Sequence, residues 1–245
     1  MKVILFVMIV LLSFASCNTS KKNTIEAQKI DMKFVRFDSI IHSWKGIDKD
    51  TFELKVTEQI KAHGDFIEAF NTGIIKVGSA YNAMYYDNLH EFLNYPIYDE
   101  INVAIQQKLS NLEAEKHNMQ LAFGRLKTLY PKNTTPAVYF FNGVFNQSIV
   151  IIENGIGVRI DKYLGADCLY YKQMDMQQFQ IKKMYKEKIP TDVLIGYLQT
   201  EFENNFADAN LLANMIHSGR IMYLTQMLMP ETADTVLWGY TAKQF

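Results

Sequence analysis

The segment 135–165, TPAVYFFNGVFNQSIVIIENGIGVRIDKYLG, constrains the fold most, because it has the clearest strand character in the chain. Residues 137–141 and 148–153 are runs of β-branched and aromatic residues, which favour strands. Asn154-Gly155 follows the second run, and Asn-Gly between apolar runs is typical of a type I′ hairpin turn with positive φ at both central residues. A third run ends near Asp161. The pattern predicts three antiparallel strands.

Most of the remaining chain has apolar residues at helical spacing. A short edge strand at 32–37 and a brief helix capped by Asp38 precede the predicted helices, which cover residues 51–70, 77–93, 97–130, 177–188 and 191–206 and a long stretch from Asp208 to Pro230. The predicted fold class is therefore α+β: mostly helical, with a small, mainly antiparallel sheet on which the helices bury their apolar stripes.

Two of these helices have apolar stripes that we expect to be buried. The stripe of the helix 51–70 consists of Leu54, Ile60, Phe66, Ile67 and Phe70. The stripe of the last long helix consists of Leu211, Leu212, Met215, Ile216, Met222, Tyr223, Met227 and Leu228. Gly219 lies inside that helix, where glycine costs about 1 kcal/mol relative to alanine. This cost suggests a close backbone approach or a site at Gly219.

The N-terminus has the pattern of an export signal. Lys2 precedes an apolar run from Val3 to Leu12, and small residues lead into Cys17. A Cys in this position is typical of a bacterial lipobox, in which the thiol is acylated with fatty acids such as palmitate. Ordinary signal cleavage beside an incidental Cys is the alternative. We expect a signal peptide at 1–16, a lipidated flexible tether at 17–29 and one α+β domain at 30–245.

Composition argues against nucleic-acid partners and offers few candidates for catalytic or metal-binding residues. The chain has 25 basic and 26 acidic residues, so nothing indicates nucleic-acid binding. Cys168, the second cysteine, is expected to be a small core residue. The histidines lack the spacing of metal ligands; they are His42, His63, His90, His117 and His217. The sequence therefore suggests no catalytic residue, no metal site and no cofactor.

Several motifs, taken together, are familiar. They are Cys17, Arg36-Phe37-Asp38, the stretch from Gly155 to Gly165, the stretch from His217 to Tyr223, Leu228-Met229-Pro230-Glu231-Thr232 and Gly239-Tyr240-Thr241. In this order they resemble the gliding-motility lipoprotein B (GldB) family of Bacteroidota. The resemblance implies a lipid-anchored, non-catalytic envelope protein with partners in a gliding or secretion complex. Relative to the family, this chain is expected to lack a C-terminal stretch.

The resemblance also raises an enzymatic alternative. A sheet, a helix and then a helix with Glu-Gly is similar to small zincin-like metallopeptidases, in which two His and a downstream Glu hold zinc. Here the matching helix, 191–206, has no His, and Ser218 stands in place of the Glu. The alternative is therefore a divergent or degenerate zincin-like arrangement. A third class, a lipoprotein that binds a glycan or small molecule, would need an aromatic groove, for which the candidates are Tyr81, Tyr85, Tyr86, Tyr170 and Tyr171.

The residue after Cys17 bears on the location of the anchor. Asn18 follows Cys17, and no acidic residue stands next to it. We expect the anchor to lie in the outer membrane, facing the periplasm.

Overall fold

The computed structural model describes residues 24–144, 148–205 and 210–240, and these form a small sheet covered by helices on both faces. The strands are β1 (Phe34–Arg36), β2 (Ala137–Phe141), β3 (Ile149–Ile152) and β4 (Gly155–Arg159), in the spatial order β1-β2-β4-β3. β1 and β4 each pair with β2 in parallel, whereas β3 pairs with β4 antiparallel. The α+β class is confirmed.

The prediction of a mainly antiparallel sheet is wrong in one respect, since the sheet is mixed. The predicted hairpin is present, but it inserts β4 between β2 and β3. A strand that returns in this way runs parallel to β2, and β1 is also parallel to β2 after a long helical connection.

The helices occupy most of the described chain. They are α1 (Phe37–His42), α2 (Lys49–Glu68), α3 (Tyr85–Leu93), α4 (Pro96–Lys108), α5 (Glu113–Leu129), α6 (Leu169–Gln173), α7 (Gln178–Ile181), α8 (Ile189–Glu201), α9 (Leu211–Leu228) and α10 (Asp234–Trp238). A π-helical segment (Ala69–Ile74) continues α2, and 3₁₀ turns occupy Ile160–Tyr163 and Lys186–Lys188. Pro96 and Pro190 lie in the first turns of α4 and α8, where a missing N–H is tolerated.

The hairpin turn differs from the predicted type. Ile152 pairs with Gly155, so the central residues are Glu153 and Asn154, and neither has a positive φ. A Cβ on Gly155 would lie 2.9 Å from a ring carbon of Tyr139. Gly155 is therefore a strand residue that makes room for an aromatic ring, and the predicted type I′ turn is wrong.

The two faces of the sheet bury different side chains. On one face, Tyr139 and Phe141 of β2 pack with aromatic residues of α1, α2 and the π-helical segment, among them Phe37, Phe66 and Phe70. On the other face the sheet packs mainly against aliphatic residues of α5 and α8, and this cluster includes Val138, Phe140, Ile156, Val158, Leu126, Val193, Leu194 and Leu198.

Two predicted helical stripes need correction. Leu54 is 75 % exposed, whereas Phe66, Ile67 and Phe70 are buried as predicted. In α9 the buried residues include Ala213, Ile221 and Leu228, while Leu211, Leu212, Met215, Ile216, Met222 and Tyr223 are exposed. A helix that is apolar on every face does not reveal by periodicity which face will be covered. Gly219 has no atom within 4 Å of an added Cβ, so no close approach explains it in the described chain.

The folded body begins earlier than residue 30. The backbone N–H of Gln28 donates to the carbonyl of Gly124 in α5 at 3.2 Å, and Arg125 Nε donates to the carbonyl of Ile25 at 3.1 Å. A Cβ on Gly124 would meet the Gln28 carbonyl oxygen at 2.4 Å. Residues 25–28 therefore pack on α5. None of the described helices has both the length and the apolar character needed to cross a bilayer.

Candidate functional site

Polar side chains collect at one edge of the sheet. β1, β2 and β4 are parallel, so their carboxyl ends meet at the same edge, and ligands commonly bind outside this edge in open sheets with parallel strands. The residues at or just after these ends are Arg36, Asn142, Arg159, Asp161 and Lys162. This edge is the natural place to look for a site.

Two arginine–aspartate pairs lie at this edge, and the first of them, Arg36 with Asp38, holds the structure together. Arg36 donates from Nε and Nη2 to both carboxylate oxygens of the buried Asp38 at 2.8 and 2.7 Å, and from Nη1 to the carbonyl of Leu109 at 2.9 Å. This bidentate pair ties the end of β1 to the end of α4. The predicted N-cap role of Asp38 is wrong, because Arg36 is the N-cap of α1 and no side chain caps that helix.

The second pair lies deeper. Arg159 and Asp161 are both buried, with Arg159 Nε 3.5 Å from Asp161 Oδ2, and Asp161 also accepts from the Gly143 N–H at 3.3 Å. Val158 and Ile160, which alternate with these two residues in the sequence, are buried as well.

A cavity of about 400 Å³ lies beside this pair. We call it the basic cavity; it is lined by Ser148, Arg159, Lys162, Met176, Gln180, Lys183, Met184, Lys188 and Asp192. Three lysines, Lys162, Lys183 and Lys188, therefore face it. Within the described ranges the Asp192 carboxylate lies 3.5 Å from Lys162 Nζ and 3.7 Å from Lys188 Nζ. Tyr163 donates to the same carboxylate at 2.9 Å.

Asp192 does not cap its helix. α8 begins at Ile189, so Asp192 lies in the first turn and Lys188 is the N-cap residue, with no side-chain cap. Asp192 instead holds the ammonium groups of Lys162 and Lys188 near the start of α8.

Burial changes the titration of the groups around the cavity. The pKa of Lys188 is lowered mainly by burial, although Asp192 acts in the opposite direction, and the neighbouring Lys183 and Lys162 lower it further. Its Nζ donates to the carbonyl of Leu237 at 2.6 Å. The pKa of Tyr163 is raised by burial and by the nearby Asp192. An anion in the cavity would relieve the mutual repulsion of the lysines.

A groove of about 690 Å³ continues from the basic cavity along β3. We call it the strand groove; it shares Ser148, Lys162 and Asp192 with the cavity and is lined further by Ile149, Ile151, Ile195, Gly196, Gln199 and Thr200. Gly196 lets α8 approach the strand, since its Cβ would lie 3.1 Å from Ile149 Cγ2. The groove therefore runs between an edge strand and one side of α8.

The backbone of β3 offers hydrogen-bonding groups to this side. The N–H of Arg159 donates to the carbonyl of Ser148, and in an antiparallel ladder bonded and non-bonded residue pairs alternate. Ser148, Val150 and Ile152 therefore bond to β4, while the N–H and C=O groups of Ile149 and Ile151 point away from it. In the described parts of the chain no other strand pairs with that edge.

The residues considered from sequence lie elsewhere. Cys17 is outside the described residues. Cys168 is buried, and burial raises the pKa of its thiol. In the described ranges no three His, Cys, Asp or Glu side chains come together in a way that could hold a metal.

The five candidate tyrosines do not form one groove. Tyr81, Tyr85 and Tyr86 line a cavity of about 620 Å³ beside α2, but Tyr171 is buried elsewhere and donates to the Asp161 carbonyl at 2.7 Å. Tyr85 is itself buried and donates to Asn71.

Sequence reasoning did not find the residues of the basic cavity. Lys162, Lys183 and Lys188 lie on different elements, and only the fold brings them together. One signal was available: Lys162 lies three residues beyond the end of β4, and Lys188 and Asp192 flank the start of α8.

Comparison with known families agrees with the motif resemblance. A family model described as gliding motility protein GldB matches residues 18–245. The chain belongs to the GldB family. No curated protein and no solved structure matches it. The GldB motifs noted from sequence include Arg36, Asp38, Arg159 and Asp161, which the fold gathers at the carboxyl edge of the sheet.

Proposed function

We propose that this chain is a lipid-anchored, non-catalytic envelope component of the gliding machinery or of an associated secretion complex, and that it holds a protein partner at a membrane. The observation that carries the proposal is the GldB family match over residues 18–245. The label of that family, GldB_lipo, refers to lipoproteins, and the match begins one residue after Cys17.

The proposed organisation follows from these observations. Residues 1–16 are a signal peptide, Cys17 carries the acyl chains, and a short tether leads to a body that takes in residues from Ile25 onward. The anchor lies in the outer membrane and the body faces the periplasm. A single acyl chain gives only marginal membrane binding, so stable anchoring requires more than one.

The state of the reactive groups supports a binding role over catalysis. The thiol of Cys168 is buried with a raised pKa, which disfavours the nucleophilic thiolate. The deepest carboxylates, Asp38 and Asp161, are paired with arginines. The basic cavity and the strand groove, by contrast, are open to a ligand.

The test is the Cys17→Ser variant of the full chain, expressed in cells of the bacterium that carries it. We expect it to lose labelling by an alkyne fatty-acid probe and to move from the membrane fraction to the soluble fraction. Cys168→Ser is the matched control and should keep both labelling and membrane association. Unchanged labelling of Cys17→Ser would overturn the anchor.

A second measurement addresses the enzymatic alternative. Metal analysis of the full chain purified in detergent should give zinc well below one equivalent. Stoichiometric zinc that survives dialysis would contradict the non-catalytic role and favour the zincin-like alternative.

A further inference from the structure

The strand groove and the basic cavity form one continuous surface with two kinds of recognition. They share Ser148, Lys162 and Asp192, so the cavity lies at the amino end of β3. Along the groove, Ile149 and Ile151 present outward backbone groups. At its end, three lysines face the basic cavity, and in the described chain the Asp192 carboxylate contacts two of them, Lys162 and Lys188.

We propose that this surface binds an extended segment of a protein partner, which adds to the edge of β3 as an antiparallel strand and places acidic groups at its carboxyl end in the basic cavity. The inference rests on the proposed function, because it gives the chemistry of the partner held at the membrane. Edge strands are common acceptors for such strand addition, in which backbone bonds give affinity and pockets give specificity.

The direction of the added strand follows from charge. A strand antiparallel to β3 runs from the Ile152 end towards Ser148, so its carboxyl end arrives beside Lys162, Lys183 and Lys188. A parallel strand would point its carboxyl end, with the acidic groups, away from the lysines and would lose this attraction. Because the whole chain has a formal net charge of only −1, the attraction is local to this cavity.

The dimensions limit the bound segment. β3 has four residues, which span about 13 Å at the usual rise of a strand. A partner strand of about five residues followed by one or two acidic residues therefore fills the groove and reaches the cavity. Alternate side chains of that strand would lie against Ile149, Ile151 and Ile195, so β-branched residues fit there best.

The probe is a pool of fluorescein-labelled heptapeptides, with five positions randomised among Val, Ile, Thr, Ser and Tyr and a free carboxyl-terminal Asp-Glu. The control pool has the same composition with the two acidic residues at the amino end and an amidated carboxyl end. Anisotropy is measured with the full chain in detergent. We expect the first pool to bind at least about tenfold more tightly, which corresponds to about 1.4 kcal/mol.

Variants separate the two kinds of recognition. Lys162→Gln and Lys183→Gln should each weaken binding of the first pool roughly tenfold, as expected for a charge-assisted hydrogen bond, and higher salt should weaken it in the wild type. Lys61→Gln, on α2, is the matched control and should bind as the wild type does. Equal binding of the two pools would overturn the proposed direction.

Strand addition has its own test. Ile151→Pro removes an outward N–H without removing a bond to β4, and edge strands tolerate proline. We expect it to abolish binding. If this variant does not fold, heptapeptides N-methylated at alternate backbone positions test the same bonds on the unaltered protein, and at least one methylation register should abolish binding. Full binding in every register would overturn strand addition.

The outcomes separate this inference from the proposed function. No binding of either pool, in a protein whose Cys17 is acylated, would overturn the groove as a partner site and leave the anchor intact. If a Cys17→Ser protein remained in the membrane fraction and bound the first pool, the anchor would be overturned and the groove would stand as a partner site.

Discussion

The two faces of the sheet are covered by different kinds of side chain. On the face towards α2, rings fill the space: Phe66 stacks on Tyr139 with centroids 4.2 Å apart, and Phe37 meets Phe66 edge-on at 4.9 Å. On the face towards α8, aliphatic residues pack under a helix that also borders an open groove and a cavity lined by lysines. The first face is filled by aromatic rings, whereas the second borders a cavity lined by charged side chains.

Alternate residues of the central strand β4 lie on the two faces of the sheet. Ile156 and Val158 point to the aliphatic face, whereas Gly155 and Gly157 lie under the rings. A Cβ on Gly157 would come within 2.9 Å of Phe66 and 3.1 Å of Phe141. Rings fill the space over one face, whereas the groove and the cavity border the other, so we expect a ligand on the aliphatic face.

The largest effect is expected from the aromatic face. Phe66→Ala should lower the free energy of unfolding by about 3–5 kcal/mol, because a buried ring is lost and a cavity remains. Leu54→Ala, on the exposed side of the same helix, is the control and should stay within about 0.5 kcal/mol of wild type. Urea unfolding followed by circular dichroism measures both. A loss below about 1 kcal/mol for Phe66→Ala would remove the contrast between the faces.

A smaller effect is expected from the glycine that makes room for the rings. Gly157→Ala should destabilise by about 1–3 kcal/mol through overpacking against Phe66 and Phe141. Gly219→Ala makes the same chemical change in open space within a helix, and should stabilise by about 1 kcal/mol. Thermal and urea unfolding would measure both signs. If Gly157→Ala were neutral, the close packing over β4 would not be the reason for that glycine.

The smallest effect is a pH dependence at the rim of the aromatic face. His63 lies 3.3 Å from the hydroxyl of Tyr139, and its pKa is lowered by burial and by Lys33. The folded state therefore favours the neutral imidazole, and the unfolded state binds more protons below about pH 6.5. Stability should fall as the pH drops from 7.5 to 5.5.

Two variants isolate the contribution of His63. His63→Gln should show less of this fall than wild type, and Lys33→Gln should show an intermediate one, because it removes only the lesser cause of the shift. Urea midpoints at the two pH values give the comparison. An identical fall in wild type and His63→Gln would exclude His63 as a source.

The sequence carried the local features of the fold better than the distant ones. The β3–β4 hairpin and a helix at 191–206, which matches α8, were predicted from short-range patterns. The parallel pairing of β1 with β2 joins residues about a hundred positions apart, and no local pattern specifies it. Asn154-Gly155 looked like a turn, but Gly155 is fixed by the ring of Tyr139, a contact that only the tertiary structure creates.

The candidate site was less accessible from sequence for the same reason. Lys162 and Lys188 lie in separate 3₁₀ turns and Lys183 follows a short helix, and in the sequence each alone has the pattern of an ordinary surface charge. In α9 the apolar residues surround the whole helix, so their pattern could not distinguish the covered side from the exposed one. The family resemblance identified the motifs but did not predict that their charged side chains lie close together in the fold.

The most direct test of the account is amide hydrogen exchange along β3, resolved by NMR on the full chain in detergent. The N–H groups of Val150 and Ile152 bond to β4 and should exchange slowly, whereas those of Ile149 and Ile151 should exchange much faster. Addition of the acidic-ended peptide pool should slow Ile149 and Ile151 alone. Equally slow exchange at all four residues without peptide would show that the edge is already covered, and would contradict an open groove on this side of the sheet.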